Sequence, residues 1–481
     1  MRVPWRGALP PAALAVLVTL CSGCGSDKII QPMTENLRLM VNDNKPNANE
    51  RIVFQRSLGD PAKYTTVYQA ADGSDGAFGF RGYLDSRAGA GTVGPDGDPA
   101  ILQSTVFSVR DLCALTAASA APGCYLIAGA HDADGDDASE QGYLLLLGPA
   151  GELVDQLLVT SDTSDVWLNG IQRLDDSTFI AFGGERRQSV AFPFVARAVV
   201  TPDRHVSIRA RKTLEAEPGK WLGQAAIFPP PPGENGLFAG VKVWSQDSGE
   251  RVGGIRATLP DLADASLEWS HEVVAPTGSV ASLQRFVRVG DVLVVVGTAE
   301  DGRKQPPPDD AAAWYSGLAV SYTRAGTLRW LTVIGEGDNN ETFRDVVEAP
   351  GALLAVGTCD NHFFGPKDGP THVFGYGWVC SIDPGTGQVL ASLSFGQDRH
   401  SSGFGTASYR DGRLTCMGWT EWLIDGDPYR GWFCRVDVTD LAALRLAGES
   451  PTSMDRAPGG RRDPPDGRRT PGSLVSQRHG N

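Results

Sequence analysis

The side chains best suited to chemistry fall in a few stretches rich in Asp and aromatic residues. Trp419, Glu421, Trp422, Asp425, Asp427 and Tyr429 lie close together in sequence. Flat rings beside carboxylates suit sugars, which stack through C–H groups and hydrogen-bond at their rims, or cationic ligands. The plainer reading is tryptophan packing a loop onto its sheet. Asp132, Asp134, Asp136 and Asp137 place hard oxygens at near-alternate positions, the donor set that calcium takes. They lack the glutamate that closes an EF-hand, so a solvated acidic turn is the competing reading. The sequence establishes no cofactor, and calcium is the candidate it offers. His362 and His372, with Asp360 and Asp368, could ligate a metal, but their wide spacing carries little information. No GxSxG, HExxH, phosphate-loop or dinucleotide fingerprint occurs. The carboxylates are too numerous to single out the two that a glycosidase needs. No catalytic residue is assigned, and binding is favoured over catalysis.

The start of the chain reads as an address. Arg2 and Arg6 precede the apolar run Ala8–Leu20, which is shorter than the roughly 20 residues of a membrane span and fits a signal peptide over 1–23. It ends in Leu20-Cys21-Ser22-Gly23-Cys24. This resembles the lipobox of bacterial lipoproteins, with Cys21 where leucine is usual. The resemblance implies a lipid on Cys24, a bacterial cell-envelope location and membrane contact through that lipid alone. Gly25 in place of aspartate leans towards the outer membrane over the inner. Residues 24–50 are polar and aperiodic, as a flexible linker is. Residues 448–481, rich in Pro, Gly, Arg and Asp, are expected to be a disordered tail. A net charge of -14 argues against nucleic-acid binding. The expected state is a monomer.

Beyond the leader the cysteines are Cys113, Cys124, Cys359, Cys380, Cys416 and Cys434. An even set in an exported chain suggests disulfides. Proximity along the chain favours the pairs Cys113–Cys124, Cys359–Cys380 and Cys416–Cys434.

All these residues are punctuation within a repeat. An apolar strand ending in Gly recurs as Tyr125–Gly129, Phe179–Gly183, Leu237–Gly240, Leu293–Gly297, Leu353–Gly357 and Leu414–Gly418, with a weaker copy at Gly76–Gly82. The interval is roughly 55–60 residues, long for a solenoid repeat. Each copy is preceded by a strand and tight turn, and followed by a long loop, a strand, a second tight turn and a last strand. Four-stranded units of this kind bury both faces only when arranged around an axis. The expected fold is all-β: one β-propeller over 51–447, of seven four-stranded blades, with six the alternative. Residues near Ile52 resemble the closing strand of a unit and should complete the last blade. Leu353–Thr358 and Gly326–Gly335, with Trp269 and Trp330 at a recurring tryptophan position, resemble the bacterial extracellular β-propeller repeat proteins. That family includes enzymes, adhesins and scaffolds, so the resemblance implies a fold and no single activity.

The loops after the recurring glycine are long and the other turns short, so one rim should carry function. The reading is a non-catalytic binding or scaffold lipoprotein holding a protein or glycan partner on that rim. The alternative is a propeller enzyme acting on glycans, as hydrolase or lyase, or a quinone-dependent dehydrogenase.

Overall fold

The computed structural model describes residues 37–40 and 48–440, apart from 59–64, 73–76, 85–86, 95–98, 104–106, 115–120, 133–139, 162–163, 231–233, 277–280, 301–314, 336–339, 363–372, 397–400 and 421–429. Its elements are strands, with one 3₁₀ turn at Asn49–Arg51. Seven antiparallel sheets follow one another along the chain, at 66–103, 107–159, 165–213, 220–272, 281–334, 341–395 and 402–437. We number these blades 1 to 7. Ile52–Leu58 pairs antiparallel with Arg430–Asp437 and supplies the fourth strand of blade 7. The first strand of each blade packs against that of the next, and blade 7 against blade 1, so the ring is closed. The chain is a seven-bladed β-propeller. Leu37–Met40 adds a parallel strand to the outer edge of blade 5, beside Leu328–Ile334.

Hydropathy sorts the strands within a blade. The second strands Thr178–Arg187 and Val292–Glu300 are apolar runs buried on both faces, because neighbouring blades cover each side. The outer strand Leu153–Val159 is mostly half-buried or exposed. Between blades 2 and 3 the buried layer is Leu126, Leu144, Leu168, Phe179 and Phe194. Trp330, Trp378 and Trp432 are among the largest fully buried side chains. The recurring tryptophans latch one blade to the next. Trp269 of blade 4 donates its Nε1 proton to Arg324 O in a turn of blade 5 at 2.8 Å. Trp330 of blade 5 donates to Pro384 O in the matching turn of blade 6 at 3.0 Å. Each ring lies over the positive-φ glycine of that turn, Gly326 or Gly387, where a Cβ would collide with it.

The recurring glycine has its cause in the innermost strand. Each first strand carries a β-bulge near its start, where the register slips. Glycines 82, 129, 183, 297, 357 and 418 pair with the residue just before the bulge. A Cβ at Gly183 would collide with Trp167 O, and one at Gly357 with Thr342 O. Bulge and glycine are therefore one device. Blade 4 departs from it and corrects the repeat alignment. Gly240 pairs with Ala226, beyond the bulge, and packs under Leu293 of blade 5. Lys242 stands opposite the bulge instead, accommodated by Gly223.

The expected disulfides also need correction. Among the described residues, Cys124, Cys359, Cys380, Cys416 and Cys434 are buried thiols. Cys359 pairs with Tyr376 while Cys380 pairs with Ala355. Four residues of strand, about 13 Å, separate the positions that a bridge would join. Cys416 and Cys434 do face one another across strands, as hydrogen-bonded thiols whose burial raises the pKa of Cys416. The side chain of Cys113, which would pair with Cys124, lies outside the described residues.

Candidate functional site

A bulge turns its extra side chain out of the regular alternation. On an innermost strand, that side chain projects to the axis. The extra residues are Tyr68 in blade 1, Arg110 in blade 2, Asn169 in blade 3, Gln224 in blade 4, Gln284 in blade 5, Arg344 in blade 6 and Gly405 in blade 7. Tyr68, Gln224, Gln284, Arg344 and Gly405, with Arg81 and Trp419, line one recess of about 350 Å³. Residues from so many blades can share a cavity only on the axis. On the remaining side, Arg110 donates to Asn169 Oδ1 at 2.8 Å, and Asn169 Nδ2 donates to Leu222 O at 2.8 Å. The bulges lie near the N-terminal ends of the first strands. The recess therefore opens where blade-to-blade connections enter and the long loops leave.

Behind this ring lies a buried belt formed by the residues that follow the bulges. Asp345 Oδ2 accepts from Thr406 Oγ1 at 2.6 Å and from Ala407 N at 3.1 Å, both in blade 7. Its Oδ1 meets Arg285 Nε of blade 5 at 3.1 Å. Thr406 Oγ1 in turn accepts Ala70 N of blade 1 at 3.0 Å. Asp111 Oδ2 accepts Ile171 N of blade 3 at 2.7 Å, and Gln69 of blade 1 donates to Asp111 Oδ1. Arg81 Nε donates to Gln69 Oε1 at 2.7 Å. At three junctions, blades 2 to 3, 6 to 7 and 7 to 1, the side chain after one bulge accepts the amide two residues past the next.

Burial governs the charges here. It pushes the Asp111 carboxyl upward against the opposing pull of Arg285 and the Ile171 amide. It lowers Arg81, opposed by Asp111. It also lowers Arg344, opposed by Tyr68, although solvent reaches Arg344 along the channel. Such walls strengthen a charge's attraction for an opposite charge entering from solvent.

Of the residues expected to bind a ligand, Trp419 is in the recess wall, its ring lying against Gly403. Glu421, Trp422, Asp425, Asp427 and Tyr429 lie outside the described residues. Asp132 ends the second strand of blade 2, and Asp134, Asp136 and Asp137 lie outside the described residues, as does Cys24. Among the described residues, no group of His, Cys, Asp and Glu is placed to hold a metal. Sequence reasoning missed Tyr68, Arg81, Gln224, Gln284 and Arg344. The available signal was positional: in most blades the bulge residue stands at a near-constant distance ahead of the recurring glycine.

No protein-family model matches the chain, and no curated protein is similar to it in sequence. Solved structures share its architecture at low identity. A protein from Lactobacillus plantarum is 13% identical, with a TM-score of 0.41 over 70% of this chain and 87% of its own. Quinohemoprotein alcohol dehydrogenase from Comamonas testosteroni is 10% identical, with a TM-score of 0.41 over 81% and 77%. The α-L-arabinofuranosidase of Fusarium graminearum, solved with arabinobiose, is 10% identical, with a TM-score of 0.39 over 81% and 99%. These likenesses concern the fold alone.

Proposed function

We propose that this chain is an envelope-anchored, non-catalytic binding lipoprotein that holds a glycan in the mouth of its central channel. The observation that carries the reading is the ring of aromatic, amide and guanidinium groups around a recess of about 350 Å³. Ligand recesses start near that size and combine apolar faces with a few aimed polar groups. Trp419 and Tyr68 offer ring faces, and Gln224 and Gln284 offer paired donors and acceptors for hydroxyls. The buried carboxylates nearest the channel, Asp111 and Asp345, are engaged by backbone amides of neighbouring blades, which favours holding over turnover. A recess of this size admits a sugar ring and not the surface of a folded protein.

The test is a glycan array read with the intact protein, followed by calorimetry on the best ligand. Trp419→Ala and Tyr68→Ala should each weaken binding by about tenfold or more, as removal of a central aromatic anchor does. An array that retains no glycan, or variants that bind as the parent does, would overturn the reading. The anchor has its own test: Cys24→Ala should move the protein from the membrane fraction to the soluble one.

A further inference from the structure

The ring around the channel has a charge balance opposite in sign to that of the chain as a whole. The protein as a whole carries -14. Around the axis, among the described residues, Arg81, Arg110, Arg285 and Arg344 outnumber Asp111 and Asp345. Most of this charge is occupied. Arg285 pairs with Asp345 at 3.1 Å, Arg110 donates to Asn169 and Arg81 donates to Gln69. Arg344 differs: among the described residues, no carboxylate lies within ion-pair distance of its guanidinium. It stands on a bulge, faces the recess beside Tyr68, and is reached by solvent while walled by protein. An arginine placed so is a planar fork of donors with room for a partner, and such forks match oxyanions two bonds at a time. The other groups within reach are those for a sugar ring: Trp419, Tyr68, Gln224 and Gln284.

We propose that the glycan taken in the channel mouth is anionic, an acidic sugar unit whose carboxylate or sulfate is received by Arg344. This rests on the glycan-holding reading above and names its ligand class. The anion enters along the axis and meets the Arg344 fork at the bulge of blade 6. The sugar ring lies between the aromatic side chains, with its hydroxyls towards the glutamines. The chain's net charge of -14 repels such ligands at long range, so the Arg344 fork, unpaired among the described residues, supplies a local attraction for a negative group.

The experiment compares acidic oligosaccharides with neutral forms of the same skeletons. Uronate-bearing and sulfate-bearing oligosaccharides are arrayed beside their methyl-esterified or desulfated counterparts, and the intact protein and its Arg344→Gln variant are applied to both. The parent should bind at least one acidic form about tenfold more tightly than its neutral counterpart, and the preference should shrink as salt is raised. The variant should lose that preference, and a Tm matching the parent's shows that it has folded. Whether the uronate or the sulfate arm responds identifies the oxyanion. Equal binding of acidic and neutral forms by the parent, or a preference that survives Arg344→Gln, overturns this inference and leaves the glycan reading standing. Retention of no oligosaccharide by the parent overturns both.

Discussion

Removal of the Asp345 carboxylate should loosen three blades at once. Asp345 is 3% exposed and accepts four hydrogen bonds: Arg285 Nε at 3.1 Å, Val346 N at 2.8 Å, Thr406 Oγ1 at 2.6 Å and Ala407 N at 3.1 Å. Asp345→Ala leaves a half-buried guanidinium and two backbone amides without their acceptor. Removing one partner of a buried pair costs about 3–5 kcal/mol. Asp345→Asn keeps the shape but turns one oxygen into a donor that faces other donors, a loss of about 1.5–3 kcal/mol. Unfolding entropy of ~2.1 cal/mol/K per residue over roughly 390 residues gives ~0.8 kcal/mol/K, so alanine should lower Tm by about 4–6 °C and asparagine by about 2–4 °C. Calorimetry of both variants, with exposed Glu348→Ala as a control, measures this. A second variant carrying Arg285→Met as well as Asp345→Ala should recover part of the loss, because no unpaired charge remains. A Tm for Asp345→Ala no lower than that of Glu348→Ala would refute the claim that the belt holds the blades together.

The bulge device gives a paired expectation. Gly357→Ala forces its methyl against Thr342 O and should cost about 1–3 kcal/mol in urea unfolding. It should also weaken ligand retention, because Arg344 rides on the same bulge. Trp330→Phe keeps most of the buried ring but orphans Pro384 O, so urea denaturation should show a loss of about 1–2 kcal/mol; Trp330→Ala should lose about 3–5 kcal/mol. His271 stacks on Trp269 at 5.2 Å, and burial followed by the nearby Arg251 charge holds its pKa below the ordinary 6.5. The unfolded chain therefore takes up this proton first as pH falls. The stability it confers is present above pH 6.5 and is lost on acidification below it. His271→Gln should flatten the change in urea midpoint between about pH 7 and about pH 5.5.

The architecture was legible because each blade repeats one hydrophobic pattern, and the closing strand at Ile52–Leu58 announced itself by likeness to other fourth strands. The site was far less legible. A bulge adds one residue to a strand and reverses which face the next side chains take, so Tyr68 and Arg344 read as ordinary strand residues until pairing register is known. Gly240 misled for the same reason: the bulge of blade 4 leaves two residues opposite Lys242, and its apolar run is displaced by two positions. The Cys359–Cys380 pairing failed on register as well, whereas Cys416 and Cys434 do stand opposite one another. Closeness along the chain says nothing about which residues of two long strands stand opposite. Trp419 was found from its chemistry, as an aromatic residue at the edge of a long loop, and its place beside the channel came from the ring.

The strand at Leu37–Met40 has a bearing on how the molecule would sit at a lipid surface. It runs parallel to Leu328–Ile334, the fourth strand of its blade. Fourth strands begin at the tight-turn rim and finish at the rim where the recess opens. Leu37 thus stands at the far side from the opening, and a chain of the length that separates it from Cys24 reaches at most about 45 Å. A lipid at that cysteine would moor the disc by its back, with the sugar-sized hollow turned outward to whatever lies beyond the bilayer.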